Sequence, residues 1–147
     1  ETGSLMSIKK NVKYILIPSE EQHIEMHPMD FEEFLWAIGN DNLMSLIKKC
    51  YKEKIPLGQA MHRKIMDYFR QYMIVGGMPQ AVKEYVNTKD FNKVDQIKRN
   101  ILELYRQDIG KHAEGYNLKV ESIFNEIPAQ LQKHEKKFKL ASISKKA

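Results

Sequence analysis

One cysteine, Cys50, is the whole thiol content of 147 residues, so no internal disulfide can form and nothing asks for an oxidising compartment. Glycine (7) and proline (5) are scarce, which excludes collagen-like and low-complexity chains. No window approaches the roughly 18 consecutive apolar residues of a membrane-spanning helix, so a transmembrane protein is excluded and the cytoplasm is the expected compartment. The start lacks the charged, apolar and small-residue progression of a signal peptide. A chain that opens on Glu1 rather than Met is expected to be processed, truncated or engineered. What is present, 42% hydrophobic and 29% charged residues, is the composition of one soluble globular domain.

Catalytic patterns are missing too. A P-loop needs Gly-x4-Gly-Lys-Ser/Thr so that backbone amides cradle phosphates and a lysine reaches them. The one Gly-Lys, Gly110-Lys111, has Tyr105 where the first glycine belongs and His112 where the hydroxyl belongs. No aspartate follows a run of four apolar residues, so no metal-holding acid closes a strand. There is no Gly-x-Ser-x-Gly elbow, and Cys50 falls on the inner stripe of a helix, where a core thiol is expected. Glu32 and Glu33 are adjacent and point apart on a helix; Glu33 is better explained by capping. His23 and His27 read as strand, about 13 Å apart at their Cα positions, and His62, His112 and His134 fall on separate helices. No metal site and no catalytic residue is expected in this chain.

The net charge of +5 is uneven. From Gln130 onward, Lys133, Lys136, Lys137, Lys139, Lys145 and Lys146 oppose Glu135, which leaves the other 129 residues neutral, with 18 basic and 18 acidic side chains. This tail holds one aromatic residue, Phe138, and no arginine. A solvated tail is the plain reading, and phosphate contact through it is the other.

Hydrophobic periodicity assigns the rest. Tyr14–Ile17 and His23–Met26 read as two strands. Beyond Pro28 the pattern is helical. Asp30 caps a helix with Glu33 at capping-box spacing, burying Phe31, Phe34, Leu35 and Ile38 before Gly39. A second helix spans Asn42–Lys54, with Leu43, Leu46, Ile47 and Cys50 inward and Pro56 as its stop. A third starts near Gln59, and Gly76-Gly77 supply its left-handed cap. Pro79 opens a fourth that runs to about Val86. Asp90 to about Ile109 forms the longest stretch, with a seam of Val94, Ile97, Ile101, Leu104 and Tyr105. Gly110 and Gly115 bracket a break. Helix then resumes over about Val120–Asn125 and Pro128–Phe138. The expected fold class is mainly α, a helical bundle with a two-strand β fringe.

Four segments in order have a family likeness: Thr2-Gly3-Ser4-Leu5; Met26-His27-Pro28-Met29-Asp30-Phe31-Glu32-Glu33-Phe34-Leu35; Tyr72-Met73-Ile74-Val75-Gly76-Gly77-Met78-Pro79-Gln80-Ala81-Val82; and Leu104-Tyr105-Arg106-Gln107-Asp108-Ile109 with Lys111. Together they resemble the prokaryotic, archaeal-type AAA-like P-loop ATPases in which an ATPase domain precedes a C-terminal domain of unknown function. The resemblance implies that residues 1–28 are the C-terminal edge of the ATPase α/β core, 29–115 the helical lid and 116–147 a helical connector to the C-terminal domain. It implies nucleotide sensing by Thr2 and Ser4, and makes Arg106 and Asp108 candidates for a nucleotide or interdomain contact. The parent would bind ATP and magnesium. This piece, without the phosphate loop and the acidic strand, would need no cofactor and would be inactive alone.

The implied partners are the missing P-loop core and C-terminal domain of the same polypeptide. Apolar surface left without its core sheet predicts self-association. Two rival readings stand beside this one: a self-contained helical interaction module that docks a partner on the 94–105 seam, and a helical domain that binds DNA weakly through its lysine tail.

Overall fold

The structure, a computed structural model, describes residues 24–113 and 115–134. Among the described residues there are six helices and no strand: α1 Phe31–Ala37, α2 Asn42–Glu53, α3 Gln59–Val75, α4 Pro79–Thr88, α5 Phe91–His112 and α6 Asn117–Gln132. The chain is mainly α, as its periodicity requires. Tyr14–Ile17, the first expected strand, lies outside the described residues, as do Thr2, Ser4 and the lysine tail beyond His134. Residues 24–26 of the second expected strand are exposed and carry no ladder. Alternation alone does not make a strand, because its amides and carbonyls need a paired backbone.

Local chemistry sets most helix ends. Asp30 accepts a hydrogen bond from the Glu33 amide at 2.9 Å, and Glu33 accepts one from the Asp30 amide at 2.9 Å, the reciprocal capping box expected for α1. Gly39 follows at φ +78. α2 stops before Pro56, because Lys54 turns left-handed (φ +56) and its amide bonds back to Tyr51. The Asp90 carboxylate accepts from the Asn92 amide and opens α5.

The break expected between Gly110 and Gly115 is present, between His112 and Asn117. α5 runs through Gly110 to His112, since one glycine inside a 22-residue helix costs only about 1 kcal/mol against alanine. The helix expected to continue at Pro128 does so, with Pro128 inside α6 and the last turn ending at Gln132. Its ring removes one amide donor, and the remaining turns hold the rod together.

The core is small and lies where α1, α3, α4 and α5 meet. Phe34, Val75, Ala81, Val82, Tyr85 and Val94 form it, with Met29, Phe31, Tyr72 and Ile97 packed around them. A run of aromatic rings crosses the four helices: Phe69, Phe31, Tyr72, Phe34, Tyr85 and Phe91, each 5.2–6.0 Å from the next. Edge-to-face and offset pairs at such distances add about 0.5–1.5 kcal/mol beyond area burial.

α2 and α6 bury no residue fully. α2 packs on α1, where Lys48 reaches the Glu32 carboxylate at 2.6 Å, and its stripe of Leu43, Leu46, Ile47 and Cys50 is half-buried. α6 packs on α5. No helix among the described residues is long and apolar enough to cross a membrane.

Candidate functional site

The most tightly determined feature joins the segment before α1 to the corner between α3 and α4. Met29 donates its amide to the Gly77 carbonyl at 2.7 Å, and the Tyr72 hydroxyl donates to the Met29 carbonyl at 2.9 Å. Both polar groups of the Met29 backbone are therefore engaged by one corner. The two glycines there have different work. Gly76 ends α3 at φ +79, a conformation that favours glycine. Gly77 is required by proximity, since a Cβ at that position would overlap the Met29 carbonyl and crowd its amide nitrogen. The expectation that both glycines supply a left-handed cap is corrected: Gly76 pairs its positive φ with an extended ψ of −177, and Gly77 is fixed by proximity. Pro79 then opens α4, where the absent amide costs nothing.

Three anchors hold the corner. Val75 is fully buried beneath it. Lys98 of α5 donates its ammonium to the Ile74 carbonyl at 2.7 Å, capping the exposed end of α3. Tyr85 of α4 donates its hydroxyl to Gln71 Oε1 at 2.8 Å. Burial pushes the Tyr85 phenol above its ordinary pKa, with a further rise from Tyr68.

Arg106 and Asp108 share α5 but do not converge, because side chains two apart on a helix do not face each other. Arg106 is exposed, with its guanidinium 5.9 Å from the Phe124 ring centre, 3.6 Å from Glu103 and 3.5 Å from the Asn125 side-chain oxygen. The contacts with Phe124 and Asn125 tie α5 to α6, an interhelix role that the sequence pattern did not specify. Asp108 is half-buried on α5. His27 is exposed and pairs loosely with Glu25 at 3.8 Å. Among the described residues no three His, Cys, Asp or Glu side chains gather as metal ligands would.

The apolar seam of α5 divides in two. Val94 is fully buried and Ile97 packs on the core, while Leu104 and Tyr105 are 58% and 43% exposed. Core packing thus accounts for the N-terminal half only.

Sequence pattern marks the Gly-Gly-Met-Pro corner as a turn but does not reveal its partner. Tyr72 and Gly77 bind the Met29 backbone, and backbone groups leave no trace in residue identity. The available signal was a second glycine not needed to end α3.

Residues 66–147 match the family described as Domain of unknown function (DUF8612), from within α3 through the corner, α4, α5 and α6 to the last residue. The chain belongs to that family. No curated protein and no solved structure matches it.

Proposed function

We propose that this DUF8612-family chain is the sensor edge and helical lid of an AAA-like P-loop ATPase. Its parent would be a cytoplasmic protein that binds ATP with magnesium and hydrolyses it to drive a conformational change. The observation that supports this reading most directly is the Met29–Gly77 contact. Two of the segments that carry the family resemblance, Met26–Leu35 and Tyr72–Val82, meet there backbone to backbone. A lid needs such a joint, since it closes on nucleotide as a unit and passes the bound state to the next domain of the polypeptide. In this reading Thr2 and Ser4 sense the γ-phosphate, and the α1–α5 body swings with residues 1–28 as its root. Arg106 serves the lid-to-connector boundary through its contacts with α6.

The test begins with the coding sequence upstream of Glu1, where Gly-x4-Gly-Lys-Ser/Thr followed by an apolar strand ending in aspartate is expected. The polypeptide that contains both should hydrolyse ATP and gain melting temperature with Mg-ATP, while purified 1–147 should show no turnover above a mock preparation. Turnover by 1–147, or a coding sequence that starts at residue 1, would overturn the reading.

A second reading rests on the exposed Leu104 and Tyr105: a helical interaction module that docks a partner helix on the outer half of α5. It predicts that changing both residues to alanine leaves folding intact and abolishes co-purification of a partner.

A further inference from the structure

The near-neutral sum over the body of the chain hides a local excess. Residues 1–48 carry Lys9, Lys10, Lys13 and Lys48 against eight carboxylates, a net of −4. Residues 49–66, which span the last turn of α2, the link and the first turns of α3, carry Lys49, Lys52, Lys54, Arg63 and Lys64 against Glu53 alone, a net of +4. All five cations are exposed. Among the described residues none of these five has a carboxylate within 4 Å, a property they share with Lys83, Lys89, Lys93, Lys98, Lys111 and Lys119 but not with Lys48, Arg70, Arg99 and Arg106; what sets the five apart is their density along the chain.

Lys49 and Lys52 are neighbours on the face of α2. The five steps from Lys54 to Gln59 span at most about 18 Å, so the two helix ends sit within a few nucleotide spacings. Aromatic rings are interleaved: Lys54 lies 4.2 Å from the centre of the Tyr51 ring, and Lys64 lies 5.9 Å from that of Tyr68. Tyr51 is 75% exposed.

Helix electrostatics explains only part of this. Lys52 and Lys54 suit the negative end of α2, but Arg63 and Lys64 stand near the positive end of α3, which has no acidic residue in its first turn. Those two cations gain nothing from the dipole of their own helix.

We propose that the α2–α3 junction binds single-stranded nucleic acid, with Lys49, Lys52, Lys54, Arg63 and Lys64 on backbone phosphates and Tyr51 stacking on a base. Exposed cations beside an exposed ring are the elements of such a surface, because the charge follows the backbone and the ring accepts any unstacked base. A duplex offers no free base face to Tyr51. A membrane surface suits the junction less well, since apolar exposure there is limited to Tyr51 and Ile55, while the stripe of α2 that could enter lipid is half-buried. The proposal is independent of the ATPase reading, and it places phosphate contact on the helical body, away from the lysine tail.

The experiment is fluorescence anisotropy with a labelled twenty-nucleotide oligo-dT and the full chain. Affinity should fall about 130-fold between 50 and 200 mM salt, the slope for five released counterions on a single strand. The quadruple variant K49Q/K52Q/R63Q/K64Q should lose at least about tenfold in affinity at 50 mM salt and flatten the slope, and Tyr51→Ala should weaken binding with the slope unchanged. All five positions are exposed, and circular dichroism checks that the variants keep their helices. A tail variant with Lys136, Lys137, Lys139, Lys145 and Lys146 changed to Gln should retain the tyrosine-dependent binding. The proposal is overturned if oligo-dT does not bind at 50 mM salt or if the tail variant alone loses binding. It is equally overturned if phosphatidylserine vesicles, and not oligo-dT, show the junction-dependent binding.

Discussion

Met29 and Gly77 lie against each other with no side chain between them, the Met29 amide bonded to the Gly77 carbonyl at 2.7 Å. Gly77 has no room for a methyl group, because its position above the Met29 carbonyl would be filled by one. Gly77→Ala is therefore expected to destabilise the chain by about 1–3 kcal/mol, the range for overpacking against atoms that cannot move aside. Tyr72→Phe, which removes only the hydroxyl bonded to Met29, should cost about 1 kcal/mol. Urea denaturation of each variant checks both values, and hydrogen exchange at the Met29 amide should accelerate in the glycine variant. A neutral Gly77→Ala would mean that the corner does not hold Met29.

The alkaline limit of stability should depend on Tyr85. Burial, and then Tyr68, raise its phenol above pKa 10 in the folded chain. The unfolded chain gives up this proton near pH 10. Since the folded value is the higher one, the contribution is complete below pH 10 and is lost as pH rises from there through the folded pKa. Tyr85→Phe should lower the urea midpoint at pH 7, because Gln71 loses its donor, yet fall less steeply than wild type between pH 9.5 and 11.

Capping predicts a simpler loss. Asp30→Ala removes the carboxylate that accepts the Glu33 amide, and α1 carries Phe34 and Leu35, both fully buried, into the core. A destabilisation of about 1 kcal/mol is expected, with Asp30→Ser close to neutral. Thermal melts distinguish the two.

Lys54 and Lys89 end their helices at φ +56 and φ +52, where side chains are disfavoured. Each holds its ammonium over a tyrosine of its own helix, Tyr51 at 4.2 Å and Tyr85 at 4.9 Å. Relief of the left-handed strain outweighs an exposed cation–π contact of about 0.5–1 kcal/mol. Lys89→Gly is thus expected to stabilise by up to about 1 kcal/mol. A lower melting temperature for that variant would show the ring contact to be the stronger effect.

The divided seam of α5 makes a position-dependent prediction. Val94→Ala should cost about 2 kcal/mol, because the fully buried side chain leaves a cavity in the core cluster. Leu104→Ala, at a position 58% exposed, should stay within about 0.5 kcal/mol. Equal costs at the two positions would mean that the outer half of α5 is covered.

The amino-acid sequence by itself determined the helices and most of their ends, because those depend on groups a few residues apart. Asp30 with Glu33, Gly76 before Pro79, and Asp90 with Asn92 could each be read from spacing and side-chain chemistry. The aromatic face of α1 and the inward face of α4 were legible in the same way, since both follow the helical period. Local reading failed where a strand required pairing that alternation cannot supply.

Only the tertiary structure decided which apolar stripes become core. Val94 and Leu104 belong to one seam, and distance along α5 from the small four-helix core separates the buried one from the exposed one. The stripe of α2 is as regular as that of α3, yet among the described residues its main neighbour is the short helix α1. The reason for Gly77 is likewise tertiary: its partner is a carbonyl and an amide on another segment, groups that every residue but proline carries and that no sequence pattern marks.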